Sequence, residues 1–284
     1  MNRLLRSKAL LIILSLSAVS ALLLAYAIVV EPNWIRVETV QITLADLPEA
    51  FDGYRIALLS DFHCGGTWPG TLFRVKRAVQ IANVRSPDLV LLAGDFTYHG
   101  AQGLRECFSH IGCLESRDGI LAVLGNHDHW DDAEAVRSQL KGAGIPELND
   151  SNFRIFKNGS HIWIAGIDDL WTTEPSVKNA VDGIPPEDVT ILLSHNPDIA
   201  EHRQTASVDI ILSGHTHGGQ VWLPLVGAPN VPSRHGEKYR SGLVHNANTQ
   251  IYVTRGIGLI NPPVRFLCPP EVTIVTLRTP HPCK

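Results

Sequence analysis

The sequence predicts an α/β fold preceded by one membrane-spanning helix. Three observations lead to this prediction. An uncharged apolar run covers Ala9 to Val30. From Arg36 onward, short apolar runs with the spacing of β-strands alternate with segments of helical spacing. Several of these apolar runs end in aspartate, histidine or asparagine, at the place where open α/β sheets position their functional residues.

The apolar run predicts a membrane anchor. It has 22 residues without a charge and is ended by Glu31-Pro32, so as a helix it spans a hydrocarbon core of about 30 Å. The alternative is a cleaved signal peptide, because Ala25-Tyr26-Ala27 has the small-x-small pattern of a cleavage site. Such peptides usually have an apolar region of about 7–15 residues, which favours the uncleaved anchor.

The charges around the run predict the orientation of the chain. Arg3, Arg6 and Lys8 precede it, which places the N-terminus in the cytoplasm and the rest of the chain outside the cytoplasmic (inner) membrane. We therefore divide the chain into residues 1–31, a basic cytoplasmic tip with a single-pass anchor, and residues 32–284, one folded domain.

The remaining composition excludes some classes of protein. The net charge of −4 predicts no basic face for nucleic acid, so no nucleic-acid partner is expected. The five cysteines include no C-x-x-C pair, which argues against a zinc knuckle. A Cys107–Cys113 disulfide stays open in an oxidising compartment. For Cys64 we favour packing as a small apolar side chain over a role in sensing oxidants.

The alternation of strands and helices can be followed along the chain. Three segments have helical spacing: Leu72–Ala82, Gly103–Glu115 and Asp131–Gly142. The segments with strand character, of which the fifth and sixth form a hairpin around Asn158-Gly159, are Val37–Thr43, Arg55–Ser60, Leu89–Ala93, Ile120–Leu124, Phe153–Lys157, His161–Ile167, Val189–Ser194, Asp209–Ser213, Ile251–Thr254 and Val272–Leu277. A loop rich in proline and glycine is predicted from Pro224 to Gly242.

Five of the predicted strands end in residue types that bind metals. One such block alone also matches a histidine-rich loop, but five of them at strand ends are typical of a metal centre. In the last block, extended backbone would point His215 and His217 to the same face. The blocks are Asp61-Phe62-His63, Gly94-Asp95, Gly125-Asn126-His127-Asp128, Ser194-His195-Asn196 and Gly214-His215-Thr216-His217.

The ligand types predict two divalent cations. Oxygen and imidazole ligands without thiolate favour Mn²⁺, with Fe²⁺, Zn²⁺ and Mg²⁺ as alternatives. Two ions about 3.5–4 Å apart need a bridging carboxylate, and Asp95 offers two oxygens. Water held between the ions would lose a proton near neutral pH and become the nucleophile. The sequence has neither a P-loop nor a nucleophile elbow, so hydrolysis by this route is expected.

The five blocks resemble, in order, those of the calcineurin-like metallophosphoesterases. The resemblance covers about Arg55 to Gln220 and implies a four-layer sandwich of two mixed sheets flanked by helices. It implies that one cation is held by Asp61, His63, Asp95 and His217, and the other by Asp95, Asn126, His195 and His215. It also implies that His127 is the acid that protonates the leaving group or stabilises the pentavalent phosphorus, and that Asp128 orients His127 by a hydrogen bond.

The sequence also resembles a narrower group within that family. The block that runs from Gly214 to Gln220, followed by Gly256-Ile257-Gly258 and by Pro262 to Phe266, is similar to membrane-anchored bacterial phosphodiesterases, some of which act on UDP-diacylglucosamine. This resemblance implies a phosphodiesterase or pyrophosphohydrolase that acts on a membrane-associated or lipid-linked substrate. The alternatives are a broad-specificity phosphomonoesterase, a dinuclear amide hydrolase and a non-catalytic membrane-tethered scaffold.

Some further residues carry weaker hypotheses. Asp168-Asp169-Leu170-Trp171 lines the pocket or, as we favour, forms a polar turn with a packed tryptophan. The apolar segment Val221–Val226 packs beneath a loop or contacts lipid, and the two hypotheses are evenly weighted. Arg255 and Arg265 either contact phosphate or have structural partners.

Overall fold

The computed structural model describes residues 2–65, 68–247 and 249–280, with residues 2–6 described by their backbone alone. Within these ranges the strands are β1 (Arg36–Thr43), β2 (Arg55–Leu59), β3 (Leu89–Ala93), β4 (Ile120–Val123), β5 (Ser151–Lys157), β6 (Ser160–Gly166), β7 (Thr190–Ser194), β8 (Ile210–Ser213), β9 (Gly242–His245), β10 (Gln250–Val253) and β11 (Glu271–Arg278). The α-helices are α1 (Asn2–Ala25), α2 (Thr71–Val84), α3 (Leu104–Ile111), α4 (Asn126–Asp131), α5 (Ala133–Gly142) and α6 (Val177–Ala180).

The strands form two mixed sheets, in the orders β1-β11-β2-β3-β4 and β5-β6-β7-β8-β10-β9. In the first sheet β11 lies antiparallel to β2, and the other neighbours are parallel. In the second sheet only the outer strands β5 and β9 lie antiparallel to their neighbours. The β5–β6 pair is the predicted hairpin around Asn158 and Gly159.

The two sheets share one apolar core. Leu58 and Leu91 of the first sheet lie in the same buried cluster as Ile164 and Leu193 of the second. The outer face of the first sheet packs against α2, α3 and α5, and the outer face of the second against α6 and neighbouring 3₁₀ turns. The order helix, sheet, sheet, helix confirms the four-layer sandwich that the resemblance implies.

The structure differs from the prediction in the start of one helix and in one additional strand, among other element bounds. The predicted helix Asp131–Gly142 is α5, which begins two residues later, at Ala133, because Asp131 ends the preceding helix α4 and Asp132 separates the two. Asp132 has non-helical backbone angles, and its side chain accepts a hydrogen bond from the amide of Ala135, so it is the N-cap of α5. Strand β9 was not predicted, because it starts at the end of the loop rich in proline and glycine and alternates in burial over only four residues.

The N-terminal helix continues past α1 through a π-helical turn, Tyr26–Val30, and a 3₁₀ turn, Glu31–Asn33. Among the described residues, Ser7–Asn33 is the one helical segment that is long and apolar enough to cross a membrane. Its end is docked on the sandwich. The backbone amide of Arg265 donates to the carbonyl of Ala27 at 2.9 Å, and the buried carboxylate of Glu31 accepts from the amides of Leu267 and Cys268.

The disulfide joins Cys64 to Cys107. The Cys107–Cys113 pairing that the sequence left open is therefore wrong, and so is the interpretation of Cys64 as a free, packed thiol. Cys107 lies on the buried face of α3 and points towards the end of β2, whereas Cys113 lies past the end of α3 and is exposed. Cys268 is a buried free thiol, and Cys283 lies outside the described residues.

Candidate metal centre

The carboxyl ends of five strands meet at one place. The loops after β2, β3 and β4 come from the first sheet, and those after β7 and β8 come from the second. These loops bring together all seven residues predicted to bind metal, and each of them is buried. The seven are Asp61, His63, Asp95, Asn126, His195, His215 and His217.

Asp95 lies between two groups of ligand atoms. Its Oδ2 is 3.7 Å from Nε2 of His63 and 3.2 Å from Nε2 of His195. On the first side, Nε2 of His217 lies 2.9 Å from Nε2 of His63 and 3.5 Å from Oδ1 of Asp61. The atoms of Asp61, His63 and His217 are all close enough to bind one ion.

The second group forms around His195. Its Nε2 lies 3.1 Å from Oδ1 of Asn126 and 3.1 Å from Nδ1 of His215. Asp95, His195 and His215 again have ligand atoms within reach of one ion. The geometry therefore offers two adjacent cation positions with Asp95 between them, which is the arrangement that the resemblance implies.

The backbone at the site is unusual. Asp61, His63, Asp95, His215 and His217 all have positive φ, between 50° and 71°, a conformation that non-glycine residues rarely adopt. The extended geometry expected for His215 and His217 is therefore wrong, and their rings lie in different groups of ligand atoms. Such strain of the backbone clusters at functional sites, where the surrounding structure enforces it.

Two glycines allow the loops to approach so closely. A Cβ atom on Gly125 would lie 2.3 Å from Oδ1 of Asp95, and one on Gly214 would lie 2.0 Å from Oγ of Ser60. Both distances are far inside van der Waals contact, so the loops after β4 and β8 need glycine at these positions.

The tautomers of two histidines leave lone pairs that point into the site. The carbonyl of Thr97 lies 3.1 Å from Nδ1 of His63, and the carbonyl of Ala93 lies 2.7 Å from Nδ1 of His195. A carbonyl only accepts, so the Nδ1 atoms carry the protons and the Nε2 lone pairs face Asp95. Lone pairs that face a carboxylate repel it unless a cation or a proton lies between them.

The pKa values of these groups also indicate that a cation or a proton must lie between them. Burial raises the pKa of Asp61 to about 7, and burial lowers the pKa of His63 to about 3 and that of His217 well below its usual value. Burial also acts to lower the pKa of His195, but the Asp95 carboxylate outweighs burial and raises this pKa to about 10. Neutral imidazoles beside buried carboxylates suit divalent cations, which take the place of such protons.

The donor atoms of the site support the fit to metal ions. Nε2 of His215 is buried and has no hydrogen-bond partner among the described residues. Buried polar atoms without a partner are rare and call for a ligand or ion. The ring of His215 turns its Nδ1, and not Nε2, towards His195, so the fit rests on the oxygen and imidazole donors of the site, which suit divalent cations.

His127 lies at the open side of the centre. Its backbone amide donates to Oδ1 of Asp95 at 2.9 Å, and its ring packs edge-on against His63, with the ring centroids 5.0 Å apart. Burial lowers the pKa of His127. The ring is only half-buried, so it is placed to reach a group that enters from solvent.

Asp128 does not orient the ring of His127. Its carboxylate accepts from the backbone amides of Asp95, Thr97 and Gly125, each at 2.9 Å, and from the hydroxyl of Thr97. No described hydrogen bond joins it to the His127 ring. The expected hydrogen bond is therefore wrong, because the backbone amides of the two metal-binding loops already occupy the buried carboxylate.

Several residues beside the site were either missed in the sequence or carried only a weak hypothesis. Trp171 packs edge-on against His215 at 4.3 Å, and Trp130 packs against His127 at 5.0 Å. His129 and Asp168 form an ion pair at 2.6 Å that joins the loops bearing these two tryptophans. Residues 168–171 form the favoured polar turn with a packed tryptophan, because the Asp169 carboxylate accepts from the amides of Trp171 and Thr172, and the packed Trp171 also lies beside the centre. The order Asp-Asp-Leu-Trp directly after β6 was the available signal.

The two candidate phosphate-binding arginines have structural partners. Arg255 pairs with Glu38 and Glu271, both at 2.5 Å. Arg265 is fully buried and donates to backbone carbonyls, among them those of His217, Arg255 and Gly258. The alternative of structural partners is thus confirmed for both, and Arg265 fixes the backbone that carries His217.

Comparison with known proteins identifies the family of this chain. The calcineurin-like phosphoesterase family matches residues 54–219. The uncharacterized metallophosphoesterase YkuE of Bacillus subtilis is 34% identical over 89% of this chain and 89% of its own length. Phosphodiesterase YaeI of Escherichia coli is 32% identical over 87% of this chain and 90% of its own length. The chain belongs to the calcineurin-like phosphoesterase family and is a phosphoester hydrolase.

A third relative is longer than this chain. The transmembrane protein with metallophosphoesterase domain of Danio rerio is 32% identical over 92% of this chain, but this chain spans only 61% of its length.

Proposed function

We propose that this chain is a single-pass membrane phosphodiesterase or pyrophosphohydrolase that uses two divalent cations on a membrane-associated or lipid-linked phosphoester. The observation that carries the proposal is the convergence of seven oxygen and imidazole ligands around Asp95. The name of the Escherichia coli relative supports a diester as the bond that is cleaved. The name of the Danio rerio relative supports insertion of the N-terminal helix in a membrane.

In this proposal the chain divides the ligands between two sites. Asp61, His63 and His217 would hold one cation, Asn126, His195 and His215 would hold the other, and Asp95 would contribute to both positions. When bound, the cations supply Lewis acidity and lower the pKa of water, so that a nucleophile is available near neutral pH. Mn²⁺ is the proposed metal, because the ligands are oxygen and imidazole without thiolate.

The protein's own part in the reaction falls to His127 and Asp128. The ring of His127 lies at the open side of the centre, so it donates a proton or a hydrogen bond to the leaving oxygen. Asp128 holds the backbone amides of the loops after β3 and β4 in place. The position of His127 then follows from its own amide, which donates to Asp95.

Two independent observations support an extracytoplasmic catalytic domain. Three basic residues precede the apolar helix, which is the usual arrangement for a cytoplasmic N-terminus. The Cys64–Cys107 disulfide beside the metal centre belongs to an oxidising compartment, because disulfides do not persist in most cytosols. The natural host membrane is then the cytoplasmic membrane, with the catalytic domain on its outer side.

Turnover of bis(p-nitrophenyl) phosphate by the full chain in detergent tests the activity. We expect turnover with Mn²⁺, loss of it with chelator, and recovery when Mn²⁺ is restored. The variants Asp95→Ala and His217→Ala should lose activity, whereas His245→Ala, an exposed histidine far from the centre, should retain it. Turnover that persists in chelator, or that is unchanged in His217→Ala, would contradict the proposed metal chemistry.

Protease treatment of intact spheroplasts tests the orientation. We expect added protease to degrade residues 34 onward while a cytoplasmic marker protein stays intact. Protection of the domain in intact spheroplasts, with degradation only after lysis, would place it in the cytoplasm and reverse the proposed orientation.

A further inference from the structure

We infer that the rim of the sandwich around the end of the N-terminal helix rests on the bilayer, and that a cavity beside Thr216 receives the apolar part of a substrate drawn from that bilayer. The second half of this inference rests on the proposed function, whereas the first half does not. We call the rim the membrane edge and define it by Trp34, Phe73, Leu225, Val226 and Leu267.

The depth of the membrane edge follows from its contacts with the helix. The apolar segment ends at Asn33, and Ala27 and Glu31 in its last turns are hydrogen-bonded to residues 265–268. The ring of Tyr26 also meets the ring of Phe266, at 6.4 Å between centroids. Because the last turns of a 27-residue segment lie at the boundary of a hydrocarbon core about 30 Å thick, residues 265–268 lie at that boundary too.

The turn that bears Leu225 is attached to the same segment. Val221 pairs with Phe266, and the amide of Trp222 donates to the carbonyl of Phe266 at 2.9 Å. Leu223 and Gly227 then close a tight turn. The apolar tip of this turn is therefore held next to the end of the helix.

The side chains of the membrane edge are exposed and apolar. Leu225 is fully exposed, Val226 is 71% exposed and Leu267 is 49% exposed. On another side of the helix end, Arg74 contacts Asn33 at 3.4 Å, and its neighbour Phe73 is 57% exposed. Clusters of exposed apolar side chains mark interaction surfaces, and their position at the membrane boundary identifies the bilayer as the occupant.

Trp34 gives a marker of the membrane surface itself. It follows the last turn of the helix, is half-exposed, and has the guanidinium of Arg36 over its ring at 4.9 Å. Tryptophan is enriched at the level of the lipid headgroups, where its ring is partly apolar and partly polar. The membrane edge therefore lies at headgroup level, with Leu225 and Val226 on the lipid side.

The loops that line the cavity adjoin both this edge and the metal centre. It has a volume of about 220 Å³ and is lined by Thr216, which lies between the two metal-site histidines, and by Val221, Ile260 and Val264. Gln220 also lines it, but its amide is occupied by the backbone of Ile260 and Pro262. The wall therefore offers mainly apolar surface. Sites that enclose a whole small molecule have roughly 300–1,000 Å³, so this one fits only the apolar part of a substrate.

Contact with the bilayer is tested by fluorescence quenching. The full chain, with Cys113 and Cys283 replaced by serine so that neither position can take the label, is labelled with a nitrobenzoxadiazole dye at Leu225→Cys or at Glu187→Cys. Glu187 is exposed and precedes β7, so it lies at the opposite end of the sheet from the metal centre. In vesicles of phosphatidylethanolamine and phosphatidylglycerol that contain a doxyl-labelled lipid, we expect strong quenching at position 225 and little at 187. Equal quenching at both positions would overturn the bilayer contact.

The cavity is tested with two diesters that share one leaving group, dodecyl p-nitrophenyl phosphate and methyl p-nitrophenyl phosphate. We expect a higher kcat/KM for the dodecyl ester in the same vesicles. Val264→Ser should reduce the ratio of the two kcat/KM values by about threefold or more, since a polar group then lines the cavity. Val84→Ser, an exposed valine at the end of α2, should leave the ratio unchanged.

The outcomes separate the two proposals. Turnover of both esters with no preference for the dodecyl chain, or a preference that Val264→Ser does not change, would overturn the cavity assignment and leave the phosphodiesterase intact. Failure to cleave either ester would overturn the proposed function and with it the role of the cavity. The quenching measurement needs no catalysis, so it judges the bilayer contact in every case.

Discussion

Replacement of Asp128 measures how far the metal centre depends on one buried carboxylate. Its two oxygens accept hydrogen bonds from three buried backbone amides, those of Asp95, Thr97 and Gly125. Asp128→Ala leaves all three amides without an acceptor. Asp128→Asn keeps one acceptor oxygen, which can serve Asp95 and Gly125, so that only the amide of Thr97 is left unpaired.

The size of the effect follows from these hydrogen bonds. A buried amide without a partner costs about 1–3 kcal/mol, so three of them cost about 3–9 kcal/mol. A water molecule that fills the vacated space offsets part of this loss, and we expect Asp128→Ala to lower the free energy of unfolding by about 3–6 kcal/mol. For Asp128→Asn we expect about 1–3 kcal/mol. The total for a domain is about 5–15 kcal/mol, so the alanine variant should be close to unfolding.

The assay is guanidinium unfolding of the full chain in detergent, followed by tryptophan fluorescence with chelator present. Asp132→Ala is the matched control, because Asp132 accepts one backbone hydrogen bond as the N-cap of α5 and its loss should cost about 0.5–2 kcal/mol. If Asp128→Ala unfolded within about 1 kcal/mol of the unmodified chain but had lost turnover, the carboxylate would act on His127 and not on the backbone. Equal losses for alanine and asparagine would also refute the hydrogen-bond argument.

Three further outcomes are expected. His127→Ala should lower the turnover of an alkyl diester by about 10²–10⁴-fold more than that of a nitrophenyl diester, because only the poorer leaving group needs a proton; equal losses would exclude the acid role. Cys64→Ala should lower the free energy of unfolding by about 3–4 kcal/mol, since the Cys64–Cys107 disulfide closes a separation of 43 residues; dithiothreitol should destabilise the unmodified chain equally and leave the variant unchanged. The hydrogen bond with Asp168 raises the pKa of His129, and burial of Asp168 is outweighed by that same bond, so that its pKa is lowered. This pair stabilises the fold fully between pH about 4 and about 6.5, the unfolded pKa values of aspartate and histidine. The stabilisation is lost as the pH falls through the folded pKa of Asp168. It is also lost as the pH rises through the folded pKa of His129. His129→Gln should therefore cost more unfolding free energy near pH 5.5 than above pH 9, and an equal cost at both would contradict the pairing.

The strands were predictable because their sequences are simple. Strand β3 has the predicted bounds, since an apolar run without any polar residue is bounded by Pro87-Asp88 and Gly94. The hairpin around Asn158 and Gly159 follows from the preference of that pair for tight turns. The place of the metal centre followed in turn, because parallel strands end at one edge of a sheet.

The local geometry of the centre was not predictable, because it depends on contacts between loops. The amide of Asp61 donates to the carbonyl of Gly94, and the amide of His63 donates to that of Asp95. These bonds join the loops after β2 and β3 and hold Asp61, His63 and Asp95 at positive φ. No pattern within either loop indicates such a conformation, because non-glycine residues rarely adopt it alone.

Contacts between side chains that are distant in sequence could not be predicted either. Cys64 and Cys107 are separated by 43 residues, and spacing alone does not determine which cysteines pair. The hydrogen bond between Asp128 and the His127 ring was expected from the family resemblance alone, because neighbouring residues on a helix do not face each other. The short helix α4 instead turns the carboxylate back towards the loops after β3 and β4.

The N-terminal helix and the metal centre are joined by one short segment, residues 265–268. The carboxylate of Glu31 accepts from the amides of Leu267 and Cys268. In the same segment, the guanidinium of Arg265 and the thiol of Cys268 both lie 3.4 Å from the carbonyl of His217. A buried carboxylate that lost these donors would pay the full cost of its desolvation, so the helix is held by the fold and is not a flexible tether. In the membrane-bound state proposed above, these hydrogen bonds would set the tilt and height of the metal centre relative to the bilayer, and an apolar edge at one fixed depth would suit the proposed membrane-associated substrate.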